Sequence, residues 1–167
     1  MTLLKSFPPI ETADARILIL GTMPGVESLR QQQYYAFRQN AFWPIMGEIW
    51  GFDPTLSYGE RCEALKSHKV ALWDVLKSCR REGSLDSRIE EESVNDFPAF
   101  FKTHPKIERI FFNGGPAEQL FRRHARPILP PEVLAIATVR LPSTSPANAS
   151  WSYARKLAAW RVVRDPK

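Results

Sequence analysis

The chain has 167 residues, 44% of them hydrophobic, and carries a net charge of +5. That suits one globular domain over residues 1–167, with a core from about residue 15 to residue 163, and leaves no apolar run near the roughly 20 residues of a membrane helix. Two cysteines outside any CxxC pair, and three histidines away from them at ligand spacing, argue against a zinc or iron–sulfur site.

The N-terminal MTLLKSFPPIETADAR has no signal-peptide core and cleavage site. The protein is therefore expected in the cytoplasm with the nucleoid, or in the nucleus of a eukaryote. ARILILG (15–21) is a short apolar run stopped by glycine and predicts a buried strand. GTMPGVES (21–28) follows, with Gly21, Pro24 and Gly25 in a tight turn. It is no P-loop, because no Gly-Lys-Ser/Thr follows, and no GxGxxG fingerprint. QQQYYAFRQNAFW (31–43) places Tyr34, Tyr35 and Phe37 in a polar loop, where aromatics can stack on bases or plug a core. Asn40 precedes an apolar helical stripe over 40–51 and reads either as its cap or as an amide able to position water.

A second helix is expected over 57–69 and a strand over 70–76. Residues 77–93, polar and poorly periodic, predict a long loop with at most a short helix. A helix over 94–105, a strand over 107–114 and a helix over 115–125 come next. Asn113, Gly114 and Gly115 lie at that last strand-to-helix turn, where free amides attract phosphate or Asn113 simply caps the strand end. A strand over 133–141 leads into LPSTSPAN (141–148) and a final helix. In that loop Ser143, Thr144 and Ser145 supply hydroxyls. Ser145 and Pro146 form a cap-and-N1 pair, and Pro142 and Pro146 stiffen the turn. Hydroxyls beside helix-start amides suit a phosphodiester.

Strands alternate with helices, so the expectation is a three-layer α/β/α sandwich around a four-stranded parallel sheet. Ligands of such sheets sit beyond the carboxyl ends of the strands. The Gly/Pro-rich and polar stretches GTMPG, WDVLKS, NGGPA and LPSTSPAN all fall there. The positive charge favours an anionic partner.

Taken together, GTMPG, YYA with RQNAFW, LWDVL with GSLDS, and LPSTSPAN resemble the uracil-DNA glycosylase superfamily. They are most similar to its hypoxanthine-DNA glycosylase branch. The resemblance covers roughly residues 15–160 and implies the uracil-DNA glycosylase-like fold and no cofactor. It further implies damaged DNA as substrate and downstream abasic-site repair enzymes as partners. No residue reads as a Schiff-base lysine, so base release without strand cleavage is expected, and a small basic domain with no exposed apolar helix is expected to be a monomer. The superfamily's usual water-activating Asp or Asn in the first motif is replaced by Thr22 and Met23, and its histidine before Pro-Ser by Leu141. The branch is thought to use a downstream Asn, which implies Asn40 as the catalytic residue here. Tyr35 resembles the aromatic on which the flipped base stacks. Gly21, Thr22, Met23, Asp74 and Ser78 are expected around the base, with Asp74 alternatively paired to an arginine in a structural role. Pro24, Gly25, Asn113, Gly114, Gly115, Pro142, Ser143, Thr144, Ser145, Pro146 and Asn148 are expected on the DNA. Alternatives are a uracil glycosylase for G·U mismatches or single strands, an inactive nucleic-acid binder, and a hydrolase using Ser143 or Ser145. The last lacks both a GxSxG elbow and a paired histidine.

Overall fold

Each residue of ILILG (17–21) is buried, as a strand covered on both faces requires. The computed structural model describes residues 2–165. In chain order they form β1 (Leu3–Lys5), β2 (Ile17–Gly21), α1 (Val26–Gln31), α2 (Phe42–Trp50), α3 (Tyr58–Ser67), β3 (Val70–Asp74) and β4 (Leu76–Arg80). Then come β5 (Glu90–Val94), α4 (Phe97–Thr103), β6 (Arg109–Asn113), α5 (Gly115–Leu120), α6 (Pro131–Leu134), β7 (Ala137–Leu141) and α7 (Tyr153–Trp160). None of the described helices is long and apolar enough to cross a membrane.

Alternation along the strands builds the two faces. Leu18 and Leu20 of β2 join Trp73 and Phe112 in a core closed by Phe97 and Phe100 of α4. Ile17 and Ile19 face the other way, with Leu72 and Phe111, against Phe42 and Ile45 of α2 and Trp160 of α7. The parallel sheet runs β3-β2-β6-β7, which makes the expected three-layer α/β/α sandwich. Local chemistry sets the helix ends. Ser57 and Glu60 form a capping box on α3, Asp96 caps α4, and α2 stops at Gly51 in the left-handed region.

Residues 77–93 are not a loop. They contain most of β4, a single 3₁₀ turn at Asp86–Arg88, and most of β5, and with β1 these strands make an antiparallel sheet of order β1-β4-β5. The sequence hides it because EEESV has almost no apolar alternation. Its burial pattern is mostly exposed, and its pairing with β4 is broken by register shifts. The strand expected over 133–141 splits into the short α6 and β7. The helix expected over 115–125 tightens as α5 and then widens into a π-helical turn at Phe121–Ala125. The final helix begins at Tyr153, capped by Ser152, so Ser145 and Pro146 do not start it.

Candidate active site

The four parallel strands end at Gly21, Asp74, Asn113 and Leu141, and all four residues line one cavity of about 1390 Å³. The chain winds from β2 out to β3 and then back to β6 on the other side of β2. Strand order reverses there, which opens a crevice at the carboxyl ends. Of the residues assigned from sequence, only Ser78 lies outside this cavity. The chain turns at Val75 into the antiparallel sheet, where Ser78 pairs with Lys5 and Ser93, so it reads no base.

At the floor, polar atoms lack partners. Asp74 is 3% exposed and its Oδ2 has no hydrogen-bond partner; nor does the Tyr35 hydroxyl, nor, outside the cavity lining, Arg81 Nη1. A Cβ added to Gly21 would lie 2.6 Å from both Asp74 Oδ1 and the Tyr35 hydroxyl. Only glycine leaves those groups room. Burial, with a like charge at Asp86, pushes the Asp74 carboxyl up to about 7, and Arg81 opposes this. Burial and the Asp74 charge also raise the Tyr35 hydroxyl. Asn113 lies close to that hydroxyl but without hydrogen-bond geometry. Buried polar atoms are seldom left unpaired, and those that are call for a reason. A ligand with complementary edges supplies one.

Tyr35 is held in the left-handed region at φ 54, a conformation costing a non-glycine residue about 1–2 kcal/mol. Its ring stacks on Phe42 at 4.2 Å, so one face is covered by protein. Its neighbour Tyr34 is core: it is 3% exposed and donates its hydroxyl to the Pro8 carbonyl. Phe37, 48% exposed, stands at the mouth. Asn40 faces the cavity while its Oδ1 accepts from the Phe42 amide at 2.9 Å. It therefore tethers the first turn of α2, although Ala41 holds the cap position. Its amide nitrogen and second oxygen lone pair stay available.

The LPSTSPAN rim is tied to the body. Asn113 Nδ2 donates to Thr144 Oγ1, and the Thr144 amide donates to Asn113 Oδ1, at 3.0 and 2.9 Å. The Thr144 carbonyl accepts from Ala41. Thr144 is 1% exposed. These two residues form a clasp between β6 and the loop, and their side chains are not the DNA contacts expected of them. Gly114 has φ +96, with the Ser143 Cβ packed against its open side, and its amide is committed to the Leu141 and Phe112 carbonyls. It cannot serve a phosphate as expected. Ser143 Oγ accepts from the Ser145 amide, Asn148 donates to the Ser143 carbonyl, and Lys156 donates to the Ser145 carbonyl. The loop is stiffened by this network and by Trp160 donating to the Pro142 carbonyl.

Sequence reasoning missed a third wall. The turn between β4 and β5 folds over the GTMPG loop: the Val26 amide donates to Ser84 Oγ at 2.8 Å, and buried Arg81 donates to the carbonyls of Pro24 and Gly83. Ser84, Leu85, Asp86 and Ser87 thereby line the cavity. The GSLDS stretch was visible in the sequence, but nothing local said where it would dock. Arg140 was missed too. Its guanidinium lies over Gly115, where an added Cβ would meet it at 2.7 Å, and it borders the cavity beside Ser143.

The model of the uracil DNA glycosylase superfamily matches residues 8–165. A hypoxanthine DNA glycosylase of Methanosarcina acetivorans is 37% identical over 160 residues, covering 95% of this chain and 96% of that protein. One from Methanosarcina barkeri is 41% identical over 111 residues, covering 66% and 70%. The solution NMR structure of a candidate uracil DNA glycosylase from Methanosarcina acetivorans superposes with a TM-score of 0.78 at 35% identity, covering 98% of this chain and 99% of that one. With the strand-end cavity and the sheet order that creates it, these likenesses lead to one conclusion: the chain belongs to the uracil DNA glycosylase superfamily.

Proposed function

We propose that this protein, as a single domain, is a monofunctional DNA glycosylase. It takes a deaminated base out of the stack and hydrolyses its N-glycosidic bond, with hypoxanthine as the preferred base. The observation that carries the reading is the cavity floor, where a buried carboxyl and a buried hydroxyl face open space without partners. The Methanosarcina relatives named for hypoxanthine support the choice of base.

The target nucleotide must leave the duplex to reach strand-end depth. Ser143, Ser145, Pro146 and Asn148 on the stiff rim, with Pro24 and Gly25 opposite, press on the backbone. Arg140 adds a cation beside Gly115. The base enters against Tyr35, over Gly21, Thr22 and Met23. A neutral Asp74 carboxyl offers a donor beside an acceptor, which matches the adjacent C=O and N–H of a deaminated base. Asn40 orients the attacking water. An amide is a weak base, so the bond to the sugar breaks well before water adds, and the barrier falls chiefly through stabilised charge. No lysine lines the cavity among the described residues, which supports base release without strand cleavage. The product is an abasic site that passes to other repair enzymes, and the protein acts as a monomer at the nucleoid.

Uracil shares the C=O and N–H edge, and one structural relative is described for uracil. The test is base release from matched oligonucleotides carrying one inosine, one uracil or one xanthine, followed by alkaline cleavage at abasic sites. Release from inosine ahead of the others supports the reading. Release from uracil alone moves the substrate to uracil. Binding without release from any of them makes the protein a non-catalytic binder.

A further inference from the structure

Two carboxyls converge on the cavity from different elements: Asp74 from the end of β3 and Asp86 from the turn between β4 and β5. Asp74 is buried, with Oδ2 unpartnered and Oδ1 wedged over Gly21 beside the Tyr35 hydroxyl. Asp86 is exposed as a residue, while burial of its carboxyl pushes it above the ordinary carboxylate value, against the buried Thr22 hydroxyl and Arg81, which both favour the anion. Arg81 acts electrostatically on both. It is 4% exposed, its Nε and Nη2 are spent on backbone carbonyls, and its Nη1 is unpartnered. The groups facing Asp74 are thus Tyr34 and Tyr35, whose hydroxyls bear no charge at neutral pH, together with Asp86 and Arg81. The guanidinium favours the anion on both carboxyls. The deeper one loses more solvation, and the outer one keeps a hydroxyl donor. Two carboxyls in such unequal surroundings divide into an acid and an anion.

We propose that Asp74 is a catalytic acid that gives its proton to the departing base, and that Asp86, lining the same cavity from the turn between β4 and β5, is the positioning residue for that acid. The negative charge of Asp86 favours the protonated form of Asp74. The proposal rests on the glycosylase reading above. As the bond between sugar carbon and base nitrogen breaks, its electron pair goes to the base, and the Asp74 proton moves onto the base. Water adds its oxygen to the sugar carbon, and the proton it releases restores Asp74. The GSLDS turn then has a chemical purpose. It brings Asp86 to a first loop, GTMPG, that carries no carboxylate of its own.

The experiment is single-turnover base release from an inosine duplex between about pH 5.5 and pH 9, with the full-length protein, Asp74→Asn and Asp86→Asn. A carbon-13 titration of the aspartate carboxyls is run on the same proteins. The natural protein should lose rate as pH rises through neutrality. Asp74→Asn should be slower by about a hundredfold at low pH, with the gap closing toward high pH. Asp86→Asn should move the fall to lower pH by about one unit, and one carboxyl titration should move with it. A constant ratio between the natural protein and Asp74→Asn across pH would overturn the acid role. An unmoved titration in Asp86→Asn would overturn the coupling. If the natural protein titrates as expected but releases no base from any oligonucleotide, the glycosylase reading fails and the acid role falls with it.

Discussion

The rim and the floor of the cavity handle their polar groups in opposite ways. In LPSTSPAN the Thr144, Ser143 and Asn148 groups find partners within the protein. At the floor, Asp74 Oδ2 and the Tyr35 hydroxyl find none. The rim is built to hold its shape while something presses on it. The floor is left unsatisfied, at a cost in stability, for a ligand that completes it. Stiffness where the backbone is strained and incompleteness where the base is read is what differential binding requires.

The largest test of this contrast concerns stability at the floor. The Asp74 carboxyl is pushed up to about 7 from an ordinary 3.8. Because the folded value is the higher one, the penalty is absent below the unfolded value and grows as pH rises through the folded one. Asp74→Asn should therefore gain stability over the natural protein, by at most on the order of 4 kcal/mol between acid and mildly alkaline pH. Denaturant melts across that range check it, and a pH-independent difference would contradict it.

Gly21→Ala comes next. Its new Cβ meets Asp74 Oδ1 and the Tyr35 hydroxyl at 2.6 Å, so base release should fall about a hundredfold from misplaced groups, with DNA binding little changed. At the rim, Asn113→Ala leaves the buried Thr144 amide without its acceptor. That should lower stability by about 1–3 kcal/mol, read as a fall in Tm, with a smaller loss of activity. The smallest effect belongs to Arg140→Ala, a mutation beside the rim. It should weaken DNA binding a few-fold and reduce the salt slope by about one, equally for damaged and undamaged duplex.

The contrast also separates what the sequence could reveal from what it could not. Buried strands wear their signal openly, because covering both faces of ILILG, and of VALW ahead of Asp74, leaves nothing but apolar residues there. The four strand ends followed, and with them the cavity. β5 stayed hidden because EEESV lies on an exposed sheet edge, where no core imposes a period. Asn40 and Asp74 could be placed near the cavity because they sit at strand or helix ends. The partnership of Thr144 with Asn113 and the docking of Asp86 beside Thr22 join residues 31 and 64 positions apart, and no local pattern encodes them. Ser78 was misassigned because VALWDVLKS reads as one continuous run, whereas the chain leaves the parallel sheet after Asp74.

The most direct measurement of the central claim is single-turnover release of hypoxanthine from an inosine duplex by the natural protein and by Asn40→Ala. Its control is binding of each to the same duplex. The account predicts release by the natural protein, a loss of about a hundredfold or more in the variant, and unchanged binding. An Asn40→Ala protein that releases the base as fast as the natural one would contradict it.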